Sequence, residues 1–291
     1  PSQPRNTRVL AWMKRYLRYV DYVGAAQLYL KDNYLLKSPL RGEHIKPRIL
    51  GHWGTVPGLN LIYASLNYLI TQKKCEMLFV TGPGHGAPAN LANLFAEKTI
   101  SEFYPEFTYD LQGMGKLIHD FSWPYTRFPS HVTPSVPGSI LEGGELGYSL
   151  ATAFGAALDN PNLIVAAVIG DGEAETGPIA TAWHLNKFLN PKTSGAVLPI
   201  VHINGFKISN PTLFGTMSDK ELHDLFWGYG YQPMIVKGPA LEENMLNAVE
   251  AAYNKIRAIQ KKARSSKADV IKPRWPVILL RSPKGWKGIH S

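Results

Sequence analysis

The sequence predicts an α/β fold in which a doubly wound, mostly parallel sheet is flanked by helices. Unbroken apolar runs rich in β-branched residues, the pattern of strands covered on both faces, alternate with stretches of helical periodicity. At least four of the apolar runs end in glycine-rich or polar segments, which contain His85, Asp171, Asn204 and Lys284. Because parallel strands end at a common edge, these segments predict one shared site at the carboxyl edge of the sheet.

The first 47 residues are interpreted as an N-terminal helical arm and a linker. Helical periodicity covers residues 9–30, and residues 39–47 begin and end with proline. The rest of the chain shows no second hydrophobic block that would form a separate domain. Residues 48–291 are therefore assigned to a single α/β domain.

The elements of that domain follow from periodicity, apolar runs and helix breakers. Pro88 suits the first turn of a helix. Residues 101–138 are rich in aromatic residues and proline, show little periodicity, and are expected to form a long irregular segment. Helices are otherwise expected over residues 57–68, 145–158, 178–189, 219–226 and 241–259, and strands over residues 77–81, 163–169, 197–203, 234–236 and 277–280.

Two oxygen-bearing side chains follow consecutive predicted strands. Asp171 lies between Gly170 and Gly172 after the strand over residues 163–169, and Asn204 ends the next strand. A Gly-Asp-Gly segment alone is a common turn, but Asn204 follows 33 positions later, one strand-helix-strand repeat. Both side chains are expected at the same sheet edge, where a carboxylate and an amide oxygen suit Mg²⁺ on a diphosphate.

Composition and charge narrow the class of protein. The 291 residues are 45% hydrophobic, contain no apolar run long enough for a membrane span and include one cysteine, which indicates a cytoplasmic, soluble protein. The net charge of +9 is carried by the flanks, since residues 1–50 and 251–291 hold 21 Lys and Arg against 4 Asp and Glu. These flanks contain aromatic and apolar residues, so an anionic substrate or an acidic partner is favoured over nucleic acid.

Five sequence blocks in the same order resemble the N-terminal, diphosphate-binding part of phosphoketolases, thiamine diphosphate enzymes related to transketolase. The resemblance covers nearly the whole chain and implies a thiamine diphosphate-binding fold over residues 48–291. The blocks are Gly51-His52-Trp53-Gly54-Thr55, Gly82-Pro83-Gly84-His85-Gly86, residues 137–148, residues 170–178 and Ser282-Pro283-Lys284-Gly285-Trp286.

The resemblance implies a role for each motif residue. Asp171, Asn204 and the backbone carbonyl of Phe206 would hold Mg²⁺ or Ca²⁺, and Phe206 replaces the usual tyrosine, which matters little for a carbonyl ligand. The implied cofactor-binding residues also include Gly143, Gly144, Gly172, Glu173 and Lys284.

Three histidines are implied to act on the sugar. His52 and His85 lie beside glycines at predicted loop starts, where a functional role is favoured, and His131 joins them by resemblance. A surface or structural role is favoured for the other candidates, which are His119, His184, His202 and His223.

The implied reaction is the cleavage of xylulose 5-phosphate, fructose 6-phosphate or both by inorganic phosphate, which gives acetyl phosphate and an aldose phosphate. In this family a glutamate on a following domain, usually contributed across a dimer interface, activates the cofactor. The pyrimidine-binding and C-terminal domains of the family are absent after Ser291, so we expect this chain to be inactive alone and to act within a homodimer or higher oligomer. Two alternatives remain, a subunit of a split transketolase-like enzyme and a non-catalytic cofactor-binding module.

Overall fold

A computed structural model describes residues 7–265 and 272–288, and it contains a five-stranded parallel sheet flanked by helices. The predicted α/β class is confirmed. The central strands form from uninterrupted apolar runs and are buried along almost their whole length. In the order β1-β2-β3-β5-β4, the strands are β1 (Met77–Thr81), β2 (Ile164–Gly170), β3 (Ala196–Ile203), β5 (Trp275–Arg281) and β4 (Tyr231–Val236).

The helices of the described residues fill the intervals between the strands. Helix α6 packs against β2 and β3, and α10 packs against β4 and β5. The α-helices are α1 (Thr7–Tyr29), α2 (Val56–Lys73), α3 (Ala87–Ala96), α4 (Thr99–Phe103), α5 (Leu111–Asp120), α6 (Ser149–Ala157), α7 (Gly177–Ala182), α8 (Leu213–Thr216), α9 (Asp219–Gly228) and α10 (Leu241–Ser265). Short 3₁₀ turns cover Gly42–His44, Trp53–Thr55, Gly84–Gly86, Glu173–Glu175 and Trp183–Lys187.

The described residues divide into two compact units. Unit 1 comprises Ser65–Pro83 and Glu145–Lys284 and contains the whole sheet. Unit 2 comprises Thr7–Ala64, Gly84–Gly144 and residues 285–288, and in it α1 packs against α3. The boundary between a helical arm and a cofactor-binding domain at residues 47 and 48 stays a prediction.

The expectation of an irregular segment over residues 101–138 is wrong for the end of α4 (Thr99–Phe103) and for Leu111–Asp120, which is a helix. Gly113 disfavours a helix by intrinsic propensity, which hid the pattern. The structure compensates at the start of the helix, where the Asp110 carboxylate accepts a hydrogen bond from the Gly113 amide at 2.8 Å. Met114, Leu117 and the adjacent apolar residue Ile118 are buried and fix the helix in unit 2.

Several predicted boundaries also differ from the structure; the helix predicted over residues 145–158, for example, covers Ser149–Ala157. Two of the differences have local reasons. The helix predicted over residues 178–189 is α-helical only to Ala182 and continues as a 3₁₀ turn. In that turn the Tyr231 hydroxyl donates to the Trp183 carbonyl at 3.1 Å, so this oxygen has a partner outside the helix. Strand β4 begins at Tyr231 rather than at residue 234 because Pro233 is tolerated in an edge strand.

Across residues 7–265 and 272–288, every helix is too short or too polar to cross a bilayer.

A buried lysine joins three segments of unit 2. Lys46 is 4% exposed, and its Nζ donates to the carbonyl of Gln27 at 2.8 Å and to that of Phe121 at 2.5 Å. Burial lowers the pKa of Lys46 from 10.5 to about 8, while the charge of Asp120 opposes the shift. The ammonium group thus holds the end of α1 and the residue after α5 to one connecting segment.

We expect the Lys46 ammonium to give unfolding a distinctive pH dependence. Between pH 8 and 10.5 the unfolded chain retains the Lys46 proton that the folded chain has lost, so the free energy of unfolding rises with pH across this window. Lys46→Met should remove this increase, as measured by urea unfolding at pH 7.5 and 9.5, whereas Lys220→Met, at an exposed lysine, should keep it. An unchanged pH dependence in Lys46→Met would show that this amine does not titrate in the window.

Candidate functional site

The ends of two neighbouring strands bring Asp171 and Asn204 to one edge of the sheet in unit 1. Strands β2 and β3 are parallel, with Gly170 opposite His202, and the Asp171 amide donates to the His202 carbonyl at 3.2 Å. The expected juxtaposition of the two strand ends is therefore present. It follows from the adjacency of consecutive parallel strands joined by a helical crossover.

The Asp171 carboxylate organises the segment that follows β3. It is 3% exposed, and its Oδ2 accepts hydrogen bonds from the Gly205 amide at 2.7 Å and the Thr212 hydroxyl at 2.9 Å. Its Oδ1 accepts from the Gly172 amide at 3.0 Å. Burial raises the pKa of Asp171, and the donated hydrogen bonds oppose that increase. One carboxylate thus fixes both ends of the segment between Gly205 and Thr212.

The turn after Asn204 requires a glycine. Gly205 has a φ of +90°, a conformation that a residue with a Cβ adopts at a cost. The Asn204 Oδ1 accepts a hydrogen bond from the Phe206 amide at 3.0 Å, and Phe206 pairs with Pro211 in an isolated antiparallel bridge. The amide oxygen of Asn204 and the backbone of Phe206 therefore belong to one closely bonded turn.

The donor set at this edge suits a cation that also binds phosphate. Asp171 and Asn204 offer hard oxygens. The Oδ1 of Asp171 and the Oδ1 of Asn204 each accept one hydrogen bond and keep a lone pair, whereas the Oδ2 of Asp171 already accepts two hydrogen bonds. Within the described residues, no cluster of three or more His, Cys, Asp or Glu side chains could hold a metal alone. A site with one carboxylate fits Mg²⁺ or Ca²⁺ whose remaining ligands are water and diphosphate oxygens.

Glu173 directs its carboxylate into the protein. The residue is 2% exposed and accepts hydrogen bonds from the Ser149 hydroxyl at 2.6 Å, the Gly147 amide at 3.4 Å and the Gly170 amide at 3.2 Å. Burial raises the pKa of Glu173 to about 7, against these hydrogen bonds. A Cβ on Gly82 would lie 2.1 Å from its Oε2. The backbone of Glu173 is therefore the part left for a cofactor.

The side chains of Lys284 and Glu175, which lie outside the turn after β3, form hydrogen bonds and an ion pair with it. The Lys284 ammonium donates to the carbonyls of Lys207 and Ile208 at 2.7 and 2.6 Å. The Glu175 carboxylate lies 2.5 Å from the Lys207 ammonium and accepts from the Leu213 amide.

Sequence reasoning did not place Thr212 or Glu175 among the site residues, although the structure connects both to the turn after β3. Thr212 has a recognisable signal, since its hydroxyl also caps α8 by accepting from the Gly215 amide at 3.0 Å. Glu175 lies in the motif block of residues 170–178, but the block does not indicate its partner Lys207, which is distant in sequence.

Two of the predicted histidines are neighbours in unit 2. The rings of His52 and His85 lie with centroids 5.3 Å apart at 82°, and the His52 amide donates to the His85 carbonyl at 3.2 Å. Gly51 enters this contact with a φ of +96°, which favours glycine. The two rings are therefore in edge-to-face contact within unit 2.

Backbone hydrogen bonds connect the remaining unit 2 residues. The Val132 amide donates to the Gly84 carbonyl at 3.0 Å, and the Gly143 amide donates to the Val132 carbonyl at 2.8 Å. The segment of His131 is thus hydrogen-bonded to both the segment of His85 and that of Gly143. The Gly144 amide donates to a carboxylate oxygen of Glu142 at 3.1 Å, which orders the loop that holds both glycines.

A family model described as the XFP N-terminal domain matches residues 5–290. The chain belongs to this phosphoketolase family. A probable phosphoketolase of Bradyrhizobium diazoefficiens is 56% identical over 279 residues, which are 95% of this chain and 35% of the relative. One from Rhodopseudomonas palustris is 56% identical over 283 residues, 96% of this chain and 36% of the relative. The chain thus corresponds to the N-terminal region of phosphoketolases and spans about a third of their length.

Solved structures of transketolases share the fold. A Pichia stipitis transketolase variant superposes with a TM-score of 0.59 at 16% sequence identity. The matched region covers 94% of this chain and 36% of the transketolase chain. The transketolase of Campylobacter jejuni superposes with a TM-score of 0.56 at 15% sequence identity, and the matched region covers 95% of this chain and 38% of the transketolase chain. At this identity the similarity establishes the α/β architecture.

We expect Gly84→Ala to destabilise unit 2, because an added Cβ would lie 2.1 Å from the Gly143 carbonyl oxygen. The cost should be about 1–3 kcal/mol, the scale of overpacking. Gly42→Ala, where nothing lies within 4 Å of the added atom, is the matched control in the same unit. Urea unfolding measures both, and equal midpoints for the two variants would show that the Gly84 contact relaxes without cost.

Proposed function

We propose that this chain is the N-terminal, cofactor-binding part of a thiamine diphosphate-dependent phosphoketolase. The enzyme would cleave xylulose 5-phosphate, fructose 6-phosphate or both with inorganic phosphate, forming acetyl phosphate and an aldose phosphate. The observation that carries this proposal is the placement of Asp171 and Asn204 after neighbouring parallel strands in a chain of the phosphoketolase family. The 56% identity to probable phosphoketolases favours this reaction over a transketolase-like one.

The proposed cation ligands are the Asp171 carboxylate, the Asn204 amide oxygen and the Phe206 carbonyl. The remaining coordination positions suit diphosphate and water, which lets one protein charge hold a dication. Bound thiamine diphosphate supplies the nucleophile and the electron sink of the reaction. The other residues proposed to contact it are Gly143, Gly144, Gly172, Glu173 through its backbone, and Lys284.

The histidines are proposed to move protons on the sugar. His52, His85 and His131 would exchange protons with its hydroxyl and carbonyl oxygens, which is the work of a general acid or base. The proximity of the His52 and His85 rings supports a shared role for these two.

The remaining two thirds of the relatives' length would supply what this chain lacks. We propose that it includes the glutamate that activates the cofactor, and that the enzyme is a cytoplasmic homodimer or larger oligomer. Half of a site positions the cofactor incompletely. Correct orientation of the reactants can lower the activation barrier by about 7–11 kcal/mol, and this contribution would be lost.

The chain alone should therefore make no acetyl phosphate. The purified chain is supplied with thiamine diphosphate, Mg²⁺, xylulose 5-phosphate and phosphate, and acetyl phosphate is trapped as its hydroxamate. Clear turnover would mean that a carboxylate within the chain, such as Glu142 or Glu175, activates the cofactor.

Asp171→Ala is expected to abolish Mg²⁺-dependent thiamine diphosphate binding, since it removes the charged ligand, and Asn204→Ala should weaken binding less. Calorimetric titration at several Mg²⁺ concentrations measures the effect. Asp224→Ala, which removes an exposed carboxylate in the same unit, serves as control and should bind as the unchanged chain does. Unchanged cation dependence in Asp171→Ala would remove the metal assignment.

His52→Ala and His85→Ala should leave cofactor affinity nearly intact and lower the turnover of the complete enzyme by about 10² or more. His223→Ala, at an exposed helical histidine, is the control. Acetyl phosphate formation and calorimetry separate the two effects. Full turnover in either variant would assign that histidine a structural role.

A further inference from the structure

Three charged side chains hold one exposed segment of unit 1. We call residues 205–213 the Phe206 loop. Asp171 binds the loop at Gly205 and Thr212, Lys284 binds the carbonyls of residues 207 and 208, and Glu175 binds at Lys207 and Leu213. Asp171 and Lys284 belong to the proposed site, but Glu175 has no role in it so far.

The Glu175 carboxylate has two partners in the loop. One oxygen lies 2.5 Å from the Lys207 ammonium, and the other accepts a hydrogen bond from the Leu213 amide in the first turn of α8. The Glu175 side chain is only 12% exposed, whereas that of Lys207 is 49% exposed. A partly buried carboxylate that also binds a backbone amide differs from an ordinary surface ion pair, which contributes little.

Apolar packing does little to hold the loop. Its large apolar side chains are exposed, at 47% for Phe206, 77% for Ile208 and 60% for Leu213. Burial of such groups is what normally fixes a segment, so the loop depends on its polar contacts. Loss of one of the three charged anchors should therefore change the conformation of the loop.

We propose that Glu175 is a positioning residue, which holds the Phe206 loop through Lys207 and the Leu213 amide so that the Phe206 carbonyl faces the cation. This inference rests on the proposed cation site and extends it to a residue that touches neither metal nor cofactor. Glu175 follows β2 and the Phe206 loop follows β3, so the contact couples the two strand ends that supply the other ligands.

The first test measures the loop conformation without any ligand. Native trypsin cleavage of the Lys207–Ile208 bond is followed by mass spectrometry, because the ion pair restrains the Lys207 side chain that the protease must bind. Glu175→Ala should raise the rate of this cleavage about tenfold, the effect of one lost hydrogen bond. Asp224→Ala, which breaks the exposed ion pair with Lys220, should leave it unchanged.

The second test measures cation use. In calorimetric titrations with thiamine diphosphate, Glu175→Ala should need about tenfold more Mg²⁺ for half-saturation than the unchanged chain. Glu175→Gln keeps an oxygen for the Leu213 amide but loses the charge, so it should fall between the two. If circular dichroism shows that Glu175→Ala is unfolded, the Mg²⁺ requirement of Glu175→Gln tests the proposal instead.

Each result has a distinct meaning. Faster cleavage together with a higher Mg²⁺ requirement supports the proposal. Faster cleavage with an unchanged Mg²⁺ requirement overturns the positioning role, and unchanged cleavage overturns the role of Glu175 in holding the loop. If the unchanged chain binds no thiamine diphosphate at any Mg²⁺ concentration, the proposed function fails first, and the positioning role fails with it.

Discussion

The buried carboxylate of Asp171 is the interaction on which the proposed site depends. A charge with 3% exposure is costly unless donors surround it, and here two backbone amides and one hydroxyl do so. Two of these donors lie at Gly205 and Thr212, the two ends of the loop after β3. The loop must therefore close for the Asp171 charge to receive its hydrogen bonds. The proposed ligand set therefore depends on the pairing of strands β2 and β3.

Buried ionisable groups perform the same task elsewhere in each unit. Glu173 collects donors from Gly147, Ser149 and Gly170, and Lys46 donates to two carbonyls of unit 2. Each group connects segments near the ends of helices or strands, where backbone groups need hydrogen-bond partners outside the regular element. In a low dielectric such bonds are strong when satisfied and costly when broken, so they define one loop conformation.

The fold and part of the site could be predicted from the sequence because they follow from local patterns. Apolar runs gave the strands, and the Asp171 and Asn204 spacing placed both residues at one edge. Helix α5 was missed because a capping bond and buried contacts outweigh the low propensity of Gly113. Glu175 was missed because its significance comes from Lys207 and Leu213, which only the folded chain brings near. Long-range pairs of this kind leave no periodic signal.

The contact between Gly84 and Gly143 has a consequence for how unit 2 varies among relatives. An added Cβ on Gly84 would lie 2.1 Å from the Gly143 carbonyl oxygen, and one on Gly143 would lie 2.8 Å from the Gly84 Cα, so the two backbones leave no room for a side chain. Side chains can exchange volume with their neighbours, but peptide groups cannot. A side chain added at either glycine would therefore push the two backbones apart. Among relatives, we therefore expect glycine to persist at these two positions while the apolar residues around them vary.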